Sequence, residues 1–188
     1  MKILVVDIET TGFSHVNDAI VEIGISIVDT DTHEIKLVFD HVIKDKRFET
    51  DKHKDSWIFQ NTTLKVEDVE NANTLESYFD EIQKLFDQYP MTAFNKAFDL
   101  RFLRQVGFVI KDTKCLMHTA TQYSKSKFAN GKSKWPSVEE IYNQFFMKNG
   151  DVYSEEHRAG ADTIDVSKVL LHMVGLKKNK LNEKHTNN

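Results

Sequence analysis

The stretch that decides the fold is residues 3–12, which read ILVVDIETTG. Its apolar residues predict that Met1–Val6 forms a short buried strand, and the acidic residue Asp7 follows directly. Because alternate residues of a strand point to the same face, Asp7 and Glu9 should project together. Two such carboxylates repel each other, and they become favourable if a divalent cation lies between them. On this pair alone, two surface acids at a strand end are the simpler interpretation.

The residues that follow the acidic pair change that balance. Thr10, Thr11 and Gly12 predict a turn that offers hydroxyl groups, free N–H groups and a glycine. A turn of this kind can hold a phosphate or sugar end. The stretch therefore indicates a binding site as well as a strand.

The composition is that of an ordinary globular chain. Its 188 residues are 40% hydrophobic and 29% charged, which fits one compact domain and excludes collagen-like or disordered classes. No stretch approaches the ~18 apolar residues of a membrane helix, so no membrane partner is expected. The single cysteine, Cys115, excludes an intrachain disulfide and favours a reducing, cytoplasmic location.

The charge distribution bears on the partner. The net charge of -4 is not that of a typical nucleic-acid binder, so any phosphate-binding surface must be local. Residues 113–138 contain no acid, and within them the lysines proposed to steer phosphates are Lys125, Lys127, Lys132 and Lys134. A solvated loop is the alternative interpretation of this stretch. The sequence predicts one domain over residues 1–175, followed by a flexible basic tail over residues 176–188.

The remaining elements follow from apolar spacing and turn signals. The predicted strands are Met1–Val6, Ala19–Val28, Glu34–Ile43, Met91–Phe94 and Phe108–Ile110. The predicted helices are Leu75–Tyr89, Phe98–Val106, Leu116–Tyr123, Ser137–Met147 and Ala159–Leu176, and Lys44–Lys54 is predicted to be a charged loop. This order predicts an α/β domain with a mixed sheet of about five strands flanked by helices.

Two further segments carry candidate chemistry. In AFNKAFDLRFL, Asp99 opens a helix just after a short strand, where an acid is also favoured by the helix dipole alone. In EHRAGADTID, His157 and Asp162 are five residues apart, which places them on different faces of a continuous helix. We therefore predict that His157 lies on a loop and Asp162 on the first turns of a helix. A solvated histidine is the simpler alternative.

Together, and in this order, the three segments resemble the DEDD superfamily of DnaQ-like 3′–5′ exonucleases. Asp7 and Glu9 match its first motif, Asn95 and Phe98-Asp99 its second, and His157-x4-Asp162 the histidine form of its third, the DEDDh subclass. The resemblance covers about Lys2 to Val174. One departure concerns packing, because Gly160 stands where the family commonly has leucine.

The resemblance implies a ribonuclease H-like three-layer fold and metal-dependent hydrolysis. Asp7, Glu9, Asp99 and Asp162 would hold two divalent cations, Mg²⁺ or Mn²⁺, and His157 would be the general base. Thr10, Thr11, Gly12 and Phe13 would hold the terminal nucleotide, with Phe13 against the last base. A core position for Phe13 is the alternative interpretation, and helix capping is the alternative for Asn95 as a substrate contact.

The implied reaction releases nucleoside 5′-monophosphates from single-stranded 3′ ends, with DNA favoured over RNA. Two alternatives stay open: an RNA-directed 3′–5′ exoribonuclease, and a non-catalytic nucleic-acid-binding subunit on the same fold. Proofreading beside a DNA polymerase subunit and a homodimer are the partner arrangements that the resemblance suggests.

Overall fold

A mixed sheet lies at the centre of the computed structural model, which describes residues 1–148 and 150–186. In that part of the chain its strands are β1 (Lys2–Thr10), β2 (Ile20–Asp29), β3 (Glu34–Val42) and β4 (Met91–Thr92). Their order is β3-β2-β1-β4, with β1 antiparallel to β2 and parallel to β4, and β2 antiparallel to β3. The predicted hairpin and the mixed sheet are confirmed.

Helices follow in two groups. Three short ones lie between the hairpin and the first long helix: α1 (Thr50–His53), α2 (Trp57–Asn61) and α3 (Val66–Glu70). The others are α4 (Leu75–Gln88), α5 (Lys96–Gln105), α6 (Leu116–Ala120), α7 (Val138–Phe146) and α8 (Ala159–Thr186). No helix within the described residues is both long and apolar enough to span a membrane.

Two hydrophobic clusters cover the two faces of the sheet. Leu4 and Val6 of β1 pack in a cluster with Ile82 of α4 and Leu103 of α5. Val5 points the other way and packs with residues of α7 and α8, such as Val169. The alternation along β1 therefore builds three layers, helix–sheet–helix, as predicted.

The prediction of a strand at Phe108–Ile110, and with it a sheet of about five strands, is wrong. The Gln83 side chain of α4 donates to the Val109 carbonyl at 2.9 Å and accepts the Val109 N–H at 3.0 Å. The Val109 N–H and carbonyl therefore form hydrogen bonds with a side chain and not with a neighbouring strand. On that side of β4 the described part of the chain forms a single parallel bridge, between Met91 and Asp112.

Other boundaries differ by smaller amounts. The predicted loop Lys44–Lys54 includes α1, and α8 continues ten residues beyond its predicted end at Leu176. The helix thus runs through most of the segment predicted as a tail, while Asn187 and Asn188 lie outside the described residues. The division of the chain at residue 175 stays a prediction.

Candidate active site

Asp7 and Glu9 lie at the carboxyl end of β1, on the face of the sheet that also carries Val5 and that α8 covers. In the ladder with β2, Asp7 is opposite Gly24 and Glu9 is opposite Glu22. Both acidic side chains are partly exposed. The strand therefore presents two carboxylates toward the start of α8.

The turn after β1 is held by its own hydroxyl groups. The Thr10 hydroxyl donates to the Gly12 carbonyl at 2.7 Å, and the Thr11 hydroxyl accepts the Ala19 N–H at 2.9 Å. Phe13, at the end of the turn, is 92% exposed, so the alternative of a core aromatic is wrong. The turn is thus fixed in shape and presents an unburied ring.

Asp99 reaches the same region from the first turn of α5. Its carboxyl group is buried, at 4% exposure. Asn95 occupies the N-cap position of α5, but its side chain makes no capping hydrogen bond. The Asn95 side chain therefore does not cap the helix. Its amide group is exposed and available to a ligand.

His157 and Asp162 arrive as predicted, from a loop and from the first turns of a helix. His157 precedes α8 with a positive φ of 51°, a left-handed conformation that is uncommon for residues other than glycine. The Asp162 N–H donates to the Arg158 carbonyl at 2.9 Å, which is the first helical bond after that loop. Potential ligand atoms of Glu9, His157 and Asp162 all lie within 4.8 Å of one another.

An ion pair between β2 and the start of α8 holds this loop. The Arg158 guanidinium donates to the buried Glu22 carboxylate, with Nη2 at 2.6 Å and Nε at 3.0 Å. The same carboxylate accepts the Ala159 N–H at 3.1 Å. Arg158 follows His157 directly, so the pair fixes the backbone that carries the histidine.

The first turn of α8 also packs very closely on the sheet. A Cβ at Gly24 would lie 2.3 Å from the Ala159 carbonyl carbon, and a Cβ at Gly160 would lie 2.3 Å from the Asp40 carboxyl carbon. A side chain at position 160 would therefore require the Asp40 carboxyl group to move.

Burial and mutual repulsion raise the pKa values of the clustered acids. Burial is the main cause at Glu9, whose pKa is about 8, and at Asp99 and Asp162, whose pKa values are about 7. The pKa of Asp7 is also raised, first by burial and then by the charges of Glu9, Asp99 and Asp162. The four carboxylates are therefore close enough to oppose one another's ionisation.

The donor set fits divalent cations. The Asp162 Oδ1 atom is buried and has no hydrogen-bond partner among the described residues. Carboxylate oxygens are the ligands that Mg²⁺ and Mn²⁺ prefer, and a cation would remove the repulsion that raises these pKa values. Potential ligand atoms of Glu9, His157 and Asp162 lie within reach of one ion, and the charges of Asp7 and Asp99 act on Glu9 from nearby.

A cavity of about 390 Å³ opens beside Glu9. The turn residues Thr10–Phe13 line one side of it, and Trp57, Ile58 and Phe98 line the rest. The Phe13 ring packs edge-on against Phe98 with 6.3 Å between centroids. The Trp57 ring is in edge contact with His157, with 5.0 Å between centroids. We refer to this space as the terminal cavity.

The lysine stretch lies on a small hairpin. Lys127 forms an antiparallel bridge with Ser133, and the Lys125 N–H donates to the Gln144 side chain at 2.8 Å. The Lys134 ammonium pairs with Glu140 at 2.6 Å, so part of its charge is already neutralised. Steering of phosphates by Lys125, Lys127, Lys132 and Lys134 stays a prediction.

Sequence reasoning missed three contributors to the site. Trp57 is a large aromatic residue, 56% exposed, in a polar segment, and that contrast was a usable signal. Glu155 lies near the cluster, and burial raises its pKa to about 7. The ion pair of Glu22 could not be predicted from the neighbouring sequence, because its partner Arg158 is 136 residues away.

The three-layer domain therefore combines clustered carboxylates with a histidine at the carboxyl end of β1. Residues 4–170 match the family model described as RNase_T, exonuclease. The chain belongs to this exonuclease family, and the predicted class of enzyme, an exonuclease of the DEDD superfamily, is confirmed. Comparison with the sequences of curated proteins finds no match.

Solved structures share the ribonuclease H-like fold. The nuclease domain of 3′hExo, a DEDDh family member bound to rAMP, is 14% identical with a TM-score of 0.66, and the match covers 93% of this chain and 92% of that one. E. coli exonuclease I in complex with a dT13 oligonucleotide is 15% identical with a TM-score of 0.69, over 98% of this chain and 43% of that one. At these identities the likeness shows the fold.

Proposed function

We propose that this protein is a metal-dependent exonuclease that removes nucleoside 5′-monophosphates from the 3′ ends of single-stranded nucleic acid. The observation that carries the proposal is the cluster of Glu9, His157 and Asp162 beside the terminal cavity, with Asp7 and Asp99 near enough for their charges to act on Glu9. The acids come from β1, α5 and α8, and burial or mutual repulsion raises the pKa of each. Clusters of perturbed acids beside a cavity are typical of catalytic sites.

Asp7, Glu9, Asp99 and Asp162 are proposed to hold two divalent cations, Mg²⁺ or Mn²⁺. Such ions, when bound, neutralise charge on a scissile phosphate and lower the pKa of water. The unpartnered Asp162 Oδ1 and the raised pKa values support this assignment, because both are relieved by a cation.

His157 is proposed to take the proton from the attacking water. A histidine ring titrates near neutral pH, which suits a general base. The ring is partly exposed, lies beside Glu9 and Asp162, and is backed by the Trp57 ring. The Glu22–Arg158 pair restrains the loop that carries it.

The terminal cavity is proposed to bind the last nucleoside. Its walls are largely apolar, and its two most exposed rings are Phe13 and Trp57. Stacking on aromatic rings tolerates every base, which suits an enzyme that removes one nucleotide after another. Thr10 and Thr11 hold the turn on which Phe13 lies.

The choice between DNA and RNA as the substrate is tested below with matched strands. Among the similar solved structures, E. coli exonuclease I is in complex with a DNA oligonucleotide, and a 3′-exonuclease recognises a histone mRNA stem-loop. DNA as the favoured substrate therefore stays a prediction, as do the cytoplasmic location and an association with a DNA polymerase subunit or a second copy of the chain.

The test uses 5′-labelled single-stranded DNA and RNA of one sequence. With Mg²⁺ or Mn²⁺ we expect a ladder that shortens from the 3′ end, and EDTA or Asp7→Ala should abolish it. Asp80→Ala, an exposed change on α4, is the matched control and should leave the ladder intact. A folded wild-type protein that shortens neither strand would favour the non-catalytic binding subunit.

A further inference from the structure

A second hollow lies between α5 and α6, with a volume of about 620 Å³. We call it the α5–α6 cleft, and the residues that define it are Asn95, Lys96, Arg101, Lys114, His118 and Trp135. No acidic residue lines it, although acids outnumber bases in the chain as a whole. The cleft is therefore a local basic surface on an acidic protein.

Two of the cations in the cleft are available to a ligand. Lys96 is held by Asp112, but the exposed Arg101 guanidinium and Lys114 ammonium form no ion pair within the described residues. They come from α5 and from the segment before α6, so they flank the hollow. Two such cations on opposite sides suit successive phosphates of a chain more than a single small anion.

An aromatic platform completes the cleft. Trp135 is 61% exposed, and its ring lies against the His118 ring with 4.8 Å between centroids and a 43° tilt. An exposed indole beside unpaired cations is the combination by which proteins bind single strands. A run of Asp and Glu residues would use the cations but would offer no aromatic ring to the indole.

The cleft and the terminal cavity lie on either side of the first turn of α5. Phe98, in the first turn of that helix, lines the terminal cavity, whereas Asn95 and Lys96 line the cleft. Asp99 lies in the same turn. A strand whose last nucleoside fills the terminal cavity can therefore cross the α5 N-terminus and enter the cleft.

We propose that the α5–α6 cleft binds the single strand upstream of its 3′-terminal nucleotide, with Arg101 and Lys114 on phosphates and Trp135 stacked on a base. The inference rests on the proposed function, because it assigns the path of that same substrate. The inference assigns the main phosphate contacts to α5 and the segment before α6, and not to the hairpin that carries Lys125, Lys127, Lys132 and Lys134.

Tryptophan fluorescence tests the path, because the chain has two tryptophans, one at each hollow. Trp57→Phe leaves Trp135 as the reporter, and Trp135→Phe leaves Trp57. With EDTA present, a strand of about twelve nucleotides, within the usual range of single-strand sites, should quench both reporters. A dinucleotide should quench Trp57 and leave Trp135 unchanged.

Salt dependence tests the cations. Arg101→Ala and Lys114→Ala should each lower the slope of log affinity against log salt by about 0.7 for the longer strand. Trp135→Ala should weaken binding of the longer strand about tenfold without changing that slope. Lys36→Ala removes one charge on β3, at the edge of the sheet opposite β4, and should change neither quantity.

The outcomes separate this inference from the proposed function. Quenching of Trp57 alone by the longer strand, in an enzyme that shortens it, would overturn the cleft and keep the exonuclease. Equal competition by poly-glutamate of matched charge would overturn the nucleic-acid assignment in favour of an acidic peptide. Quenching of Trp135 by the strand in a protein that shortens no substrate would keep the cleft and overturn the exonuclease.

Discussion

Arg158 and Glu22 join the loop of the proposed base to the strand beside the acidic pair. The guanidinium donates from Nη2 and Nε to the carboxylate, and the Ala159 N–H donates to the same group. Glu22 is 1% exposed and lies opposite Glu9 in the β1–β2 ladder. One buried carboxylate therefore sets the position of the start of α8 relative to β1.

Arg158→Ala should lower both stability and turnover. It leaves the buried Glu22 charge without its cation, a change that costs about 3–5 kcal/mol of unfolding free energy when a buried pair loses one partner. Urea denaturation measures this loss. We expect kcat to fall more than KM rises, because the loop with His157 loses its anchor, and Arg158→Lys should restore only part of the activity.

Arg104→Ala is the control for that variant. Arg104 pairs with Asp112 on the surface, and its side chain is 51% exposed. Loss of such a pair should cost at most about 1 kcal/mol. Equal destabilisation by the two variants would show that the Glu22–Arg158 pair has no special role.

Metal binding and pH should act on the same carboxylates. The pKa of Glu9 is about 8 and those of Asp99 and Asp162 are about 7, well above the values near 4 of an unfolded chain. The folded protein holds these protons more tightly, so their contribution to stability is full below about pH 4 and is lost as the pH rises through 7 to 8.

We therefore expect the Tm in EDTA to fall between about pH 4 and pH 8 more steeply than in a Glu9→Gln variant. Mn²⁺ should raise the Tm, and should do so most at the alkaline end, because it binds ionised carboxylates. Thermal melts across this pH range measure both effects. A melting curve that does not respond to millimolar Mn²⁺ would count against the metal site.

The His157→Ala variant should show whether His157 acts as a general base or as a metal ligand. Loss of a general base lowers kcat by about 10²–10⁴-fold. If His157 acts only on water, the rise in Tm with Mn²⁺ should persist in the variant. Because its ring lies within 4.8 Å of ligand atoms of Glu9 and Asp162, loss of that rise would instead make it a metal ligand.

Local periodicity was enough to predict most of the fold. The hairpin, α4, α5 and α7 follow from apolar spacing within one segment, and their observed bounds differ by few residues. The strand at Phe108–Ile110 failed because the hydrogen bonds of Val109 go to Gln83, 26 residues earlier in the chain. A tertiary contact of this kind has no local signature.

Motif spacing likewise located the proposed catalytic residues but not what holds them. The interval between His157 and Asp162 predicted a loop and a helix start, which is the observed arrangement. Glu22 holds the His157 loop through Arg158, and Trp57 lines the terminal cavity. Both residues come from segments distant in sequence from that loop. Their roles depend on packing, which spacing does not encode.

Gly24→Ala should test the close approach of α8 to the sheet. The new methyl group would lie 2.3 Å from the Ala159 backbone, which cannot rotate away as a side chain could. The first turn of α8 must shift, at a cost of about 1–3 kcal/mol, and we expect kcat to fall because Asp162 moves with it. Gly175→Ala, on the same helix with no atom within 4 Å of the added Cβ, should instead be neutral or stabilising by up to about 1 kcal/mol. Denaturation and rate measurements on both variants check this, and equal activity of the two would show that the α8 approach tolerates displacement.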